Sequence, residues 1–191
     1  MHILVLPDDD GTRHQLTNQS TDLVLSLGDL SDLVILQAAR QARCNRIFAI
    51  KGNHDAAGPF HAPIVDLHLA VETLDGVRFG GFNGSWRYKP TGRFLYEQDE
   101  VERLLGGFPR VDVFVAHNSP WNIHECDTDA HQGFEAFNRY IKRIQPRLFL
   151  HGHQRVNQDT LIGLTHVVGI LGQRQIEIRT PVRDAVVQPQ S

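Results

Sequence analysis

The sequence predicts an α/β fold with helix-covered sheets followed by a strand-rich segment, and three observations point to it. Short apolar runs ending in polar or glycine-containing turns recur up to about residue 150. Stretches with apolar residues at helical spacing lie between them. Past residue 150 the pattern changes to closely spaced strand candidates parted by glycines.

Taken in order, residues 2–6 and 22–27 are short apolar runs that read as buried strands, and residues 31–42 carry apolar side chains at helical spacing. Residues 46–50 form a third strand, residues 98–105 a short helix, 111–116 a fourth strand, 133–144 a helix and 147–150 a fifth strand. Residues 160–162, 165–170 and 175–179 then read as a meander, which predicts a second, antiparallel sheet. Residues 80–92 (GGFNGSWRYKPTG) read as a glycine-rich loop with aromatics, and 118–133 as a second long connection containing His124 and His131.

The 191 residues suit one domain over residues 1–180, with 181–191 as a loose tail. A net charge of -3 supplies no electrostatic case for duplex nucleic acid. Cys44 and Cys126 are the two cysteines, far apart and outside any CxxC, so neither a disulfide framework nor a thiolate zinc site is indicated. With no basic leader and no bilayer-length apolar run, the expected location is cytoplasmic, away from membranes.

Eleven histidines stand against a single methionine, and several follow strand ends beside Asp, Asn or Gly. Asp8, Asp9 and Asp10 follow the first strand, GDLSD (28–32) the second, GNHD (52–55) the third, His117 and Asn118 the fourth, and Gly152 and His153 the fifth. Residues just past the carboxyl ends of strands in an open α/β sheet converge on one crevice, so these clusters are expected to meet. Carboxylate oxygen, amide oxygen and imidazole nitrogen without thiolates suit Mn, Fe, Zn or Mg used for Lewis-acid hydrolysis. Each motif alone has a plainer reading: GDLSD as a helix cap, GNHD as a turn, and His117 as a strand end in solvent. Trp86, Arg87, Tyr88 and Trp121 read equally as loop-core residues or as a base- and phosphate-holding set.

GDLSD matches GDxxD, GNHD matches GNH(D/E), and HGHQR (151–155) partly matches a terminal GHxH. In that order and spacing the chain resembles the calcineurin-like metallophosphoesterases over about residues 3–178. The resemblance implies a four-layer α/β/β/α sandwich of two mixed sheets flanked by helices, with the site at the strand ends along one edge. It further implies Asp29 as a carboxylate bridging two metals, with Asn53, His117 and His153 completing the shell of one of them. The other metal falls to Asp8 and Asp10, where the family has a DxH pair, and to the position of Arg155, where it has a histidine. A guanidinium has no acceptor and cannot ligate, so one tight ion is expected, with Arg155 drawn to Asp8 and Asp10 in place of the second.

The activity implied is phosphoester hydrolysis by a metal-activated hydroxide, Mn being the first choice of ion and a small nucleotide-type phosphodiester the substrate class. His54 is the implied leaving-group acid, oriented by Asp32, and Arg155 the added positive charge. The alternative is a weakly active or non-catalytic binding module with one metal site and a protein partner, as in the retromer scaffold subunit of similar fold.

Overall fold

The computed structural model describes residues 1–8, 20–126 and 128–179. Asp9, Asp10 and the 181–191 tail lie outside the described residues. In chain order the strands are β1 (His2–Leu6), β2 (Leu23–Ser26), β3 (Ile47–Ala49), β4 (Val65–Asp66), β5 (Val71–Leu74), β6 (Val77–Phe82), β7 (Ser85–Trp86) and β8 (Leu95–Tyr96). They continue with β9 (Val113–Ala116), β10 (Leu148–His151), β11 (Gln158–Ile162), β12 (Thr165–Gly169) and β13 (Arg174–Glu177). The α-helices are α1 (Asp32–Gln41), α2 (Gln98–Leu105) and α3 (Glu135–Ile144).

Two mixed sheets pack face to face: one in the order β13-β1-β2-β3-β4, the other β11-β12-β10-β9-β6-β5. In the first, β1 to β4 run parallel and β13 is antiparallel to β1. In the second, β12, β10, β9 and β6 run parallel, with antiparallel β11 and β5 at the edges.

Side-chain alternation divides the apolar residues between layers. Ile3, Val5, Leu23, Leu25 and Phe48 meet Val77, Phe79, Val113, Val115 and Leu150 between the sheets. Leu4, Leu6, Val24, Ile47 and Ala49 turn the other way, onto Ile35, Ala38 and Ala39 of α1. Phe114 and Phe149 of the second sheet do the same, onto Phe137, Tyr140 and Ile141 of α3 and Val101 and Leu105 of α2. Four layers follow, α1, sheet, sheet, then α2 with α3. Their central strands are buried on both faces, which is why they read as continuous apolar runs instead of an alternation.

Local signals agree with these elements. Ser31 caps α1 by accepting from the Val34 N–H, with Asp32 in the first turn and Arg40 in the last, the arrangement a helix dipole favours. Glu97 and Glu100 form a capping box at α2.

Two expectations need correction. Among the described residues no separate antiparallel sheet follows residue 150: β11 and β12 form a hairpin whose β12 extends the second sheet parallel to β10, while β13 crosses to the first sheet. Glycines part these strands in the sequence, but pairing is decided by which open sheet edge each strand reaches. Residues 80–82 are strand, not loop: a Cβ on Gly80 would lie 2.8 Å from the Phe108 ring, and one on Gly81 2.6 Å from the Val115 carbonyl oxygen. These glycines serve close packing inside β6.

Candidate metal centre

Register brings the strand ends level. Leu6 pairs with Ser26 and Ser26 with Ala49 in the first sheet, and Ala116 pairs with His151 in the second. The chain therefore leaves β1, β2, β3, β9 and β10 along one edge, delivering Asp8, Asp29, Asn53, His117 and His153. One atom each from Asp8, Asp29, His117 and His153 lies within 4.8 Å of the other three.

His117 is fully buried at the centre. Its Nδ1–H donates to the Leu27 carbonyl at 2.8 Å, which turns Nε2 toward Asn53 Oδ1 at 3.2 Å and Asp29 Oδ2 at 3.4 Å. Asp8 Oδ1 lies 3.7 Å from Nδ1 of the same ring. The His153 ring stands 4.8 Å from it, centroid to centroid, and donates Nε2–H to the Ala130 carbonyl at 3.0 Å, leaving Nδ1 as its free nitrogen. In both cases a backbone carbonyl selects the tautomer, the device that orients metal-binding histidines. Asn53 Nδ2 donates to the Tyr88 hydroxyl at 3.4 Å, so its Oδ1 faces the cluster.

The electrostatics follow from this crowding. Burial pushes the Asp8 carboxyl up; Asp29 is also penalised by burial, but His117 and the His54 N–H outweigh that and hold it below the usual carboxylate range. Burial opposes charge on His117, yet Asp8 and Asp29 raise its pKa to about 9. His153 is pushed down to about 3 by burial and the cationic His117, so its lone pair is free.

The turns that make this possible are tight. Gly28 and Asp29 both have positive φ, at 95° and 55°. A Cβ at Gly52 would sit 2.1 Å from Asp29 Oδ1 and 2.6 Å from His117 Cε1, so only glycine lets this backbone approach the cluster. Asp55 Oδ2 accepts from the Gly52 N–H at 2.7 Å and the Asp29 N–H at 2.9 Å, tying the two turns together. His54 N–H donates to Asp29 Oδ1 at 2.8 Å while its side chain is exposed beside a cavity.

Three sequence expectations fare differently. Asp32 Oδ2 accepts from the backbone N–H of His61, at 2.7 Å, and from His61 Nδ1–H, at 2.6 Å, while Asp32 and His54 both line one cavity. Arg155 is exposed, and among the described residues it makes no ion pair with Asp8. Its φ of 52° and that of His153, 60°, turn the chain at this point, and Asp8 Oδ1 instead accepts from the His153 N–H at 3.2 Å. Asp10 lies outside the described residues. Arg87 is committed to the protein itself, donating to the Leu95 carbonyl at 2.7 Å and pairing with Glu97 at 3.1 Å.

Other supports carried no sequence signal. Gln154, fully buried, donates Nε2–H to Asn118 Oδ1, to Ser119 Oγ and to the His131 carbonyl at 2.7–2.9 Å, holding the 118–133 connection whose Ala130 carbonyl anchors His153. His124 of the same connection pairs separately with His151 at the end of β10, His124 Nδ1 lying 3.0 Å from His151 Nε2. His61 had no motif to mark it, and Asp55, although inside GNHD, had no assigned role.

No protein-family profile matches the chain, and no curated protein matches it. Solved structures do. Phosphopantetheinyl hydrolase from Mycobacterium tuberculosis superposes with a TM-score of 0.55 at 12% identity, covering 98% of both chains. Wild-type Vps29 from Entamoeba histolytica, complexed with zinc, gives 0.52 at 12% identity, covering 94% of this chain and 87% of that one. A 5'-nucleotidase candidate from Staphylococcus aureus gives 0.53 at 13% identity, covering 90% of this chain and 48% of its own. At such identities the likeness establishes a fold: this chain has the metallophosphoesterase architecture of two mixed sheets between helices.

Proposed function

We propose that the protein is a metal-dependent phosphoester hydrolase of the calcineurin-like family, acting on small phosphodiesters of nucleotide type. The observation that carries this reading is the meeting of Asp8, Asp29, His117 and His153 within 4.8 Å at the strand ends of both sheets. Their chemistry fits a divalent ion: two carboxylates, two imidazoles whose free nitrogens are selected by backbone carbonyls, and the Asn53 amide oxygen beside them. A sixth residue, Gly52, keeps that space open.

These residues would hold one ion, manganese being the first to test; a zinc-bound neighbour of the same fold makes zinc the second. When bound, such an ion supplies Lewis-acid activation of water and neutralises phosphoryl charge. The protein's own share is positional. His54 and His61 line the cavity beside Asp29, which makes them the candidates to give a proton to the departing alcohol oxygen, His61 with its ring bonded to Asp32.

The test is hydrolysis of an activated bis-aryl phosphodiester in Mn²⁺. Turnover by wild type and a loss of at least about 100-fold on Asp29→Asn are expected. Metal binding without turnover would instead support a metal-holding interaction module, a reading favoured by the exposed Arg155 standing where a second ion's histidine would be.

A further inference from the structure

Beside the carboxylate cluster, between the start of α1 and the turn after β3, lies a cavity of about 720 Å³, within the range of small-molecule sites of ~300–1,000 Å³. Leu30, Leu33 and Leu36 form one wall and Ala56, Ala57 and Pro59 the other. Leu33 is 79% exposed, so a leucine with little protein packing faces this space. The cavity adjoins the metal centre at Asp29, which lines the one and belongs to the other, and His54, whose N–H donates to Asp29 Oδ1, lines the cavity too.

The polar residues on its surface decide what kind of ligand it takes. Besides Asp29, which belongs to the metal centre, Asp32 and Asp55 bring two carboxylates, opposed by one lysine, with His54 and His61 also in the polar lining. Lys51 is 95% buried in the sense that its exposure is 5%, and it is already engaged: Nζ donates to the Ala56 carbonyl at 3.0 Å and lies 4.3 Å from the centre of the Phe60 ring. It is not free to receive an anion. A charged leaving group, such as a polyphosphate, would meet repulsion here, whereas an uncharged apolar one would gain by covering Leu33 and its neighbours.

From the cavity's position against Asp29 and its apolar lining we infer that the cavity is the subsite for the alcohol moiety of the substrate, and that this moiety is neutral and largely apolar. The inference rests on the phosphoesterase reading above, which places the phosphoryl group at Asp29. It narrows the substrate class to phosphoesters whose leaving side is an aryl, alkyl or uncharged nucleoside-like group.

Calorimetric titration of Mn²⁺-loaded protein with inorganic phosphate and with methyl, butyl, hexyl and octyl phosphate tests it, the ratio of each ester's affinity to that of phosphate being the readout. The expected result is a gain of about three- to fourfold per buried methylene, levelling off once the cavity is filled. In Leu33→Gln, a substitution at an exposed position that leaves the core intact, the octyl-to-phosphate ratio should fall by about fivefold. Phosphate binding with a flat ester series would overturn the subsite and leave the phosphoesterase reading standing. Failure of inorganic phosphate itself to bind would overturn both, and a rising series unaffected by Leu33→Gln would place the apolar contact elsewhere and overturn the assignment to this cavity.

Discussion

Asp8 and Asp29 lie 3.7 and 3.4 Å from the two ring nitrogens of His117, and that buried imidazole is consequently a cation in the metal-free protein at neutral pH. Its folded-state pKa of about 9 stands above the ~6.5 of a free imidazole, so its proton stabilises the metal-free fold fully below about pH 6.5 and ceases to do so as pH rises through about 9. A metal must displace the same proton, and its affinity should rise by up to about tenfold per unit across that window. Thermal unfolding in chelator and Mn²⁺ titrations at pH 6.5, 7.5 and 8.5 read both effects; stability and affinity independent of pH would refute the assignment of His117.

Under the proposed hydrolysis, the leaving group's proton falls to His54 or His61. His61, held by Asp32, is expected to outweigh His54, so His61→Asn should lose more turnover than His54→Asn on an alkyl leaving group and little on a nitrophenyl one. The reverse ranking would restore His54. At this scale Asp29, Asn53, His117 and His153 were legible because each follows an apolar run with a polar or glycine-containing motif, whereas His61 was not: it reaches Asp32 through a turn that no periodicity announces.

Among the elements, the turns after β2 and β3 do most to shape the centre. Gly28, Gly52 and the Asp55 carboxylate bind these turns to each other, and there is no room for a side chain at Gly52. Gly52→Ala should destabilise the fold by ~1–3 kcal/mol through overpacking and should weaken Mn²⁺ binding at least about tenfold, as followed by urea unfolding and metal titration. Near wild-type behaviour in both would mean that the cluster is looser than its 2.1 Å clearance requires. Strands β1, β2, β3, β9 and β10 were legible to within a few residues, since strands buried on both faces must be apolar throughout. Strand β6 was not, because its Gly80 and Gly81 look like loop residues while serving the close approach of Phe108 and Val115.

Over the whole molecule, the arrangement depends on two sheets contributing to one edge. Asp8, Asp29 and Asn53 come from the first sheet and His117 and His153 from the second, so the centre exists only when the layer containing Val5, Phe48, Phe79 and Val115 is packed. The α/β class and this convergence were readable from strand ends alone. The partition of the last three strands between sheets was not, since an isolated apolar run carries no record of which edge it will meet. Among the described residues no helix is long and apolar enough to cross a membrane.

Asp8, Asp29, His117 and His153 could hold one ion between the two sheets, and elemental analysis of metal per chain shows whether they do. Protein purified and then equilibrated with Mn²⁺ should hold one tightly bound ion, and Asp29→Asn and His117→Gln should each hold none while remaining folded by circular dichroism. Wild type without a bound ion, or variants that keep it, would mean that this cluster is not a metal centre.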